Sequence, residues 1–269
     1  MIYLKKEINF FIILTIIFSL FFLLFFAYPL VVLIIVGSKG IISSLENESF
    51  LTAIYITFII STSAAISAVI FGLPLGYIIA RYNFRFKEVI ETLIDIPIVI
   101  PHIIVGVMIV LAFSSQYGLG PIFHKYGINV IDTILGAALA VSYLSSTYTI
   151  RVVESSIKAI DPELELISRS LGASQMRTFF SVILPNIWRS VINGALLTWA
   201  RATSEAGALF IVAYYVIFGK TTVYPSPVFI YESYVGLGLI EAVKFSAALV
   251  VIIVSAFILF RVIINLRRH

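Results

Sequence analysis

No charged residue occurs between Ile8 and Gly37 or between Ser49 and Ala80, and apolar runs of this kind recur as far as Val262. About 20 apolar residues, each rising ~1.5 Å, cross the hydrocarbon of a bilayer. Runs of this length exceed the needs of a soluble core, so the chain is read as integral to a membrane. Composition agrees: 61% of the 269 residues are hydrophobic and 12% are charged, where a soluble domain carries about 25% charged residues. Soluble-enzyme and nucleic-acid-binding readings are set aside. The net charge of +4 then gains its meaning from where the basic residues lie.

Cysteine is absent, which removes disulfides, thiolate metal sites and cysteine nucleophiles together. Lys5 and Lys6 precede the first apolar stretch and no Ala-x-Ala site follows it. A retained helix is expected there in place of a cleaved signal peptide.

Six segments are long enough to span. They run over Phe10–Val36, with a kink expected at Pro29, and Ser49–Ala80; then Asp95–Ser115 through Pro97, Pro101 and His102; and then Asp132–Arg151, Asn186–Phe218 and Ala242–Ile264. Six crossings put both termini on one side. Thirteen of the eighteen basic residues fall on that side (Lys5, Lys6, Arg81, Arg85, Lys87, Arg151, Lys158, Arg169, Arg177, Arg189, Arg261, Arg267 and Arg268). Lys39, Lys125, Lys220 and Lys244 fall on the other, and Arg201 lies within a span. Positive charge accumulates on the cytoplasmic side of membrane proteins, so both termini and the long 4–5 connection are expected in the cytoplasm.

That connection, Val153–Pro185, reads as two short amphipathic helices. Asp161-Pro162 opens the first as a cap with proline behind it, Glu163, Leu164, Ile167 and Leu171 recur at helical spacing, and Gly172 breaks the run. The second, Ser174–Val182, is expected to stop before Pro185. In the 5–6 connection, Val228–Tyr234 reads as a half-buried surface helix, where Glu232 is a candidate for docking a partner protein.

Arg201 and Glu205 are the only ionisable residues deep in a segment. A charge at mid-span costs about 2.5–3.5 kcal/mol, so neither is expected to face lipid. Their i, i+4 spacing permits an ion pair. Two readings fit: a pair that fixes the fifth segment, or a pathway site, with neighbouring Ser204, where Arg201 offers donors to an oxyanion. The small residues around the pair, Gly194 to Ala208, let helices approach closely. The hydroxyls of Ser142, Ser145, Ser146, Thr147 and Thr149 are expected mostly to bond carbonyls of their own helix, with one or two left to reach the pathway. A lone His102 beside Pro101 reads as a polar residue at a helix break, and no metal site is expected.

The stretch Glu163–Pro185 resembles the cytoplasmic EAA loop of ABC-importer permeases, whose pattern is Glu-Ala-Ala, three residues, Gly, nine residues, Ile-x-Leu-Pro. Gly172, Ala173, Arg177, Leu184 and Pro185 stand at the expected spacing; Leu166-Ile167-Ser168 replaces the triplet and Val182 the isoleucine. Gly72–Arg81, Asp95–Pro101 and Trp199–Ala208 are similar to segments of the molybdate/tungstate and sulfate branch, and Pro227–Glu232 to the outer loop of its archaeal-type members. The resemblance implies a type I ABC importer permease. That is an all-α integral membrane protein of six transmembrane helices, with a cytoplasmic coupling helix between helices 4 and 5. It would form one domain over 1–269, with 1–48 as N-terminal helix and outer loop and 49–269 as core.

The partners implied are a second copy of the chain, two cytoplasmic ABC ATPase subunits, an extracellular substrate-binding protein and the lipid of a prokaryotic plasma membrane. Glu163, Glu165 and Arg169 would set the register of the coupling helix in the ATPase, with Leu164 and Ile167 buried there; an interfacial helix resting on lipid headgroups is the plainer reading. The implied function is ATP-driven inward movement of an oxyanion, tungstate or molybdate, by alternating access. A sulfate or phosphate permease shares most of these motifs, and a secondary transporter, channel or membrane scaffold would need no ATPase. No catalytic residue is expected. The chain has no Gly-x-x-x-x-Gly-Lys-Ser/Thr loop, so ATP and magnesium would bind the partner ATPase.

Overall fold

The computed structural model describes residues 10–266. Lys5, Lys6, Arg267 and Arg268, counted above toward the cytoplasmic face, lie outside the described residues. Helix α1 (Phe10–Gly37) continues through Pro29 as one helix, and nearly all its side chains are exposed. It joins the bundle at its end, where a Cβ on Gly37 would come 2.4 Å from that of Ala247. A 3₁₀ turn and the short α2 (Ile41–Leu45) lead to α3 (Glu48–Arg81). Asn47 caps α3 by accepting from the Phe50 N–H at 2.9 Å.

The third expected span is two helices, α4 (Lys87–Val99) and α5 (His102–Phe113), bent by 115°. Pro101 has no N–H to continue the ladder and holds Ile100 extended, so the chain turns there and no straight crossing forms. After the short α6 (Gly120–Lys125) comes α7 (Ile134–Lys158), capped by Thr133. It outruns its expected end at Arg151 because Glu154 pairs with both Arg151 and Lys158, at 2.6 Å each, on one helical face.

The pairing of α3 with α7 is the most extensive in the fold. Gly76 permits it: a Cβ there would meet Val153 Cγ1 at 2.8 Å. The expected own-helix bonding of the α7 hydroxyls is corrected, because buried donors find partners across helices. Ser142 bonds Ser67 (3.1 Å), Thr147 donates to the Ile94 carbonyl (2.7 Å), and Thr149 bonds Thr198 (2.8 Å), which donates to the Ser145 carbonyl (2.9 Å).

Helix α8 (Pro162–Ser170) and the single turn α9 (Gln175–Thr178) follow. The second amphipathic helix does not stop before Pro185. A π-helical turn, Phe179–Ile183, joins α9 to α10 (Leu184–Thr203), and Pro185 sits in the first turn of α10, directly after that wider turn. Segment five is not continuous to Phe218 either. It breaks after Thr203, resumes for one turn as α11 (Leu209–Val212), and ends in a hairpin of β1 (Val216–Phe218) and β2 (Thr221–Val223). The hairpin is the one departure from all-α among the described residues. Helices α12 (Ser226–Leu237) and α13 (Leu239–Leu266) complete the chain.

Phe10–Leu45, Glu48–Arg81, Gln175–Thr203 and Leu239–Ile263 are each long and apolar enough to cross a membrane, and the bent α4–α5 pair is a fifth candidate. The 25-residue α7 has the length, about 37 Å, but its hydroxyls interrupt the apolar run. The largest core cluster joins Ile56, Ile60, Val105, Val141, Leu144 and Leu209 from α3, α5, α7 and α11.

Replacing Gly76 with isoleucine forces α3 from α7 and is expected to cost about 1–3 kcal/mol, seen as a lower thermal midpoint of the detergent-solubilised protein.

Candidate functional site

Two breaks in the helical framework meet. The first is the Ile100–Pro101 corner before α5; the second is the Ser204–Ala208 stretch between α10 and α11. They lie at contact distance: a Cβ on Gly207 would approach His102 Cβ to 2.8 Å, and one on Gly106 the Ala208 carbonyl to 2.8 Å.

Arg201, in the last turn of α10, and Glu205, just past its end, form the expected pair, with Nη2 2.9 Å from Oε2. His102, at the first position of α5, joins them, its Nδ1 3.0 Å from the same oxygen and its Nε2 2.9 Å from Arg201 Nη2. Glu205 Oε1 accepts from the Ala208 N–H at 3.1 Å. With the proton on Nδ1, Nε2 is free to accept from the guanidinium. Glu205 is 1% exposed, Arg201 24% and His102 38%. Ser204 is exposed and donates back to the Arg201 carbonyl at 2.9 Å. In the sequence His102 stands alone; Pro97 and Pro101, both just before it, are the local signal of the broken helix.

At the far end of α3 lies the α8 segment. Asp161 accepts from the Glu163 N–H at 2.9 Å, leaving the Glu163 side chain exposed. Leu164 and Ile167 are also exposed, at 44% and 55%, and together with Leu166, Leu171 and Met176 they make an apolar surface. Glu165 turns inward: Arg81 donates to it through Nε at 2.5 Å and to the Ile160 carbonyl through Nη2 at 3.0 Å, while Tyr77 donates to it at 3.4 Å. Arg169 is exposed at the rim of a cleft of about 240 Å³ shared with Tyr82 and Gln175.

Gly172 has φ +89, a left-handed conformation suited to glycine, and Ala173 behind it donates to the Ser168 carbonyl at 3.2 Å. Arg177 closes α9, its N–H bonded to the capping Ser174. Leu184 packs with Val153, Ile157 and Ile187 where α10 meets α7, next to Pro185. The segment is thus one folded unit, pinned to α3 through Arg81 and open on its apolar side.

Between α11 and α13, Glu232 accepts a hydrogen bond from Tyr214. That bond to a carboxylate pushes the Tyr214 phenol up to about 12 from 10.0. The proton is held more tightly in the folded protein, so the interaction contributes in full below pH 10 and is lost as pH rises toward 12. A separate cleft of about 640 Å³ lies between α3, α4 and α7, apolar except for hydroxyls such as Ser63, Ser67 and Ser146.

The family described as binding-protein-dependent transport system inner membrane component matches residues 72–267. The molybdate/tungstate transport system permease protein WtpB of Methanocaldococcus jannaschii is 33% identical over 244 residues, covering 91% of this chain and 93% of that protein. The protein of the same name from Pyrococcus furiosus is 35% identical over 229 residues, covering 85% of this chain and 80% of that one. A chain from the crystal structure of a bacterial ABC transporter involved in the import of the acidic polysaccharide alginate shares the fold, with a TM-score of 0.69 at 15% identity over 95% of both chains.

Replacing Glu165 with glutamine is expected to loosen α8, raising hydrogen exchange of its amides about tenfold for each ~1.4 kcal/mol of anchoring lost. Replacing Glu232 with glutamine is expected to return Tyr214 toward ordinary tyrosine ionisation, read by ultraviolet difference titration.

Proposed function

The chain belongs to the binding-protein-dependent transport system inner membrane components, multi-pass permeases of ABC transporters, and from that premise we propose that it is the membrane subunit of a tungstate or molybdate importer. The observation that carries the substrate is the 33% identity to a molybdate/tungstate permease along nearly the whole of both chains. In this reading residues 1–269 are a single permease domain, two copies pair, and both termini and the α8 segment face the cytoplasm. Two ABC ATPases, holding ATP and magnesium, grip α8 through Leu164 and Ile167. A binding protein delivers the anion to the opposite side.

The exposed apolar face of α8 supports the coupling role, since a buried apolar patch with charged flanks is what a partner groove recognises. Its attachment to Arg81 gives closure of the ATPases a direct mechanical route into α3, and α3 is packed along α7. Alternating access follows when that push reorders the helices around the meeting breaks. Arg201 and Ser204 lie on the accessible side there, where an oxyanion would find donors. Glu232, already engaged by Tyr214, would meet the binding protein only through the rim of α12.

The test is uptake into proteoliposomes holding the permease, its ATPase and its binding protein. Tungstate accumulation that requires ATP is expected. Sulfate uptake without tungstate uptake would reassign the substrate, and uptake with the ATPase omitted would overturn the ABC assignment. Replacing Gly172 with valine forces a β-branched side chain into a left-handed backbone at a cost of about 1–3 kcal/mol. Stimulation of ATP hydrolysis by the loaded binding protein is expected to fall about tenfold or more; full stimulation would refute the coupling role of α8.

A further inference from the structure

The carboxylate of Glu205 divides its two oxygens between unlike tasks. Oε1 is tied to the backbone at Ala208 N, 3.1 Å away. Oε2 lies 2.9 Å from Arg201 Nη2 and 3.0 Å from His102 Nδ1, yet it is aligned with no hydrogen-bond donor. It therefore sits among two cationic or proton-donating groups as a charge neighbour, without the directed bonds that would lock it there. Exposure is graded: the carboxylate is covered, whereas the guanidinium and imidazole are partly open and neighbouring Ser204 is exposed.

We propose that Glu205 is a built-in stand-in for the transported anion: Oε2 neutralises the Arg201–His102 cluster while the pathway is empty and is displaced by one oxygen of an incoming tetrahedral oxyanion. The inference rests on the reading that this chain passes oxyanions. Arg201 and His102 come from different elements, α10 and α5, so a dianion with two or more oxygens bridges them as the carboxylate does. Glu205 pivots about its Ala208 bond and stays nearby. The displaced carboxylate then competes for the same donors, so the anion is held in passing and released.

An arginine and a histidine left facing an open path with no internal carboxylate would instead trap a dianion. Glu205 thus sets how tightly substrate is held, and His102 is a second substrate-contacting residue beside Arg201.

The permease–ATPase complex in lipid nanodiscs, without binding protein, is titrated with tungstate. Glu205→Gln is expected to lower the Kd about tenfold or more relative to the unaltered complex, and to slow uptake turnover in proteoliposomes. Adding Arg201→Gln is expected to abolish that gain. Should the Gln variant fail to assemble, Glu205→Asp, whose carboxylate is drawn back by one methylene, is expected to tighten binding in the same direction. A Kd unchanged in the carboxylate variant that assembles, or a gain that survives Arg201→Gln, overturns the proposal. If the unaltered complex imports no oxyanion at all, the functional reading itself fails; import by that complex with no effect of the carboxylate variants removes only this inference.

Discussion

A backbone that leaves the helix inside a membrane must find its hydrogen-bond partners within the protein, because the hydrocarbon offers none. This chain leaves the helix after Val99, within the bent α4–α5 candidate span, and again after Thr203, at the end of α10, and the rest of the fold is arranged to cover the consequences. The two breaks are set against each other. The second is closed by the Glu205 carboxylate accepting from Ala208, and the charges this requires are neutralised within one cluster. Small residues on both sides, Gly106 and Gly207, allow the approach.

The same constraint explains why α3 and α7 are so closely fitted. They are the unbroken elements against which the broken ones lean; Ser67 bonds Ser142 between them, and α7 is tied to α10 through Thr149, Thr198 and the Ser145 carbonyl. Arg151 extends the scheme to α4, gripping Asp95 at 2.9 and 2.5 Å and the Glu91 carbonyl at 3.0 Å. At the other end of α3, Arg81 serves the α8 segment in a similar way. The long helices are therefore tied to their neighbours at arginines.

Much of this is legible in the residues, and what is not lies mainly in contacts between distant segments. The limits of α3 fall within one residue of the uncharged stretch Ser49–Ala80, and the Asp161-Pro162 cap and Gly172 bracket α8, because caps and charge boundaries are local signals. The break after Thr203 has a local signal in Glu205 and Gly207, since the carboxylate accepts from the Ala208 N–H only three residues on; what the residues do not show is the corner it packs against. The partnership of His102 with Arg201 spans 99 positions and has no sequence period. The hairpin does have a local signal: Val216-Ile-Phe-Gly-Lys-Thr-Thr-Val223 is a β-branched run around a glycine-bearing turn.

The π-helical turn at Phe179–Ile183 explains the fixed interval between Gly172 and Leu184-Pro185. Residues five apart on a regular α-helix point about 140° away from each other. Thr178 and Ile183 are five apart, yet both are buried, one bonded to Ser168 and the other packed on Val153 and Ile157. The wider turn absorbs the surplus rotation and brings the two faces into angular phase. Adding or removing one residue in this interval would turn one face or the other outward, so the motif's spacing is a rotational lock as well as a signature.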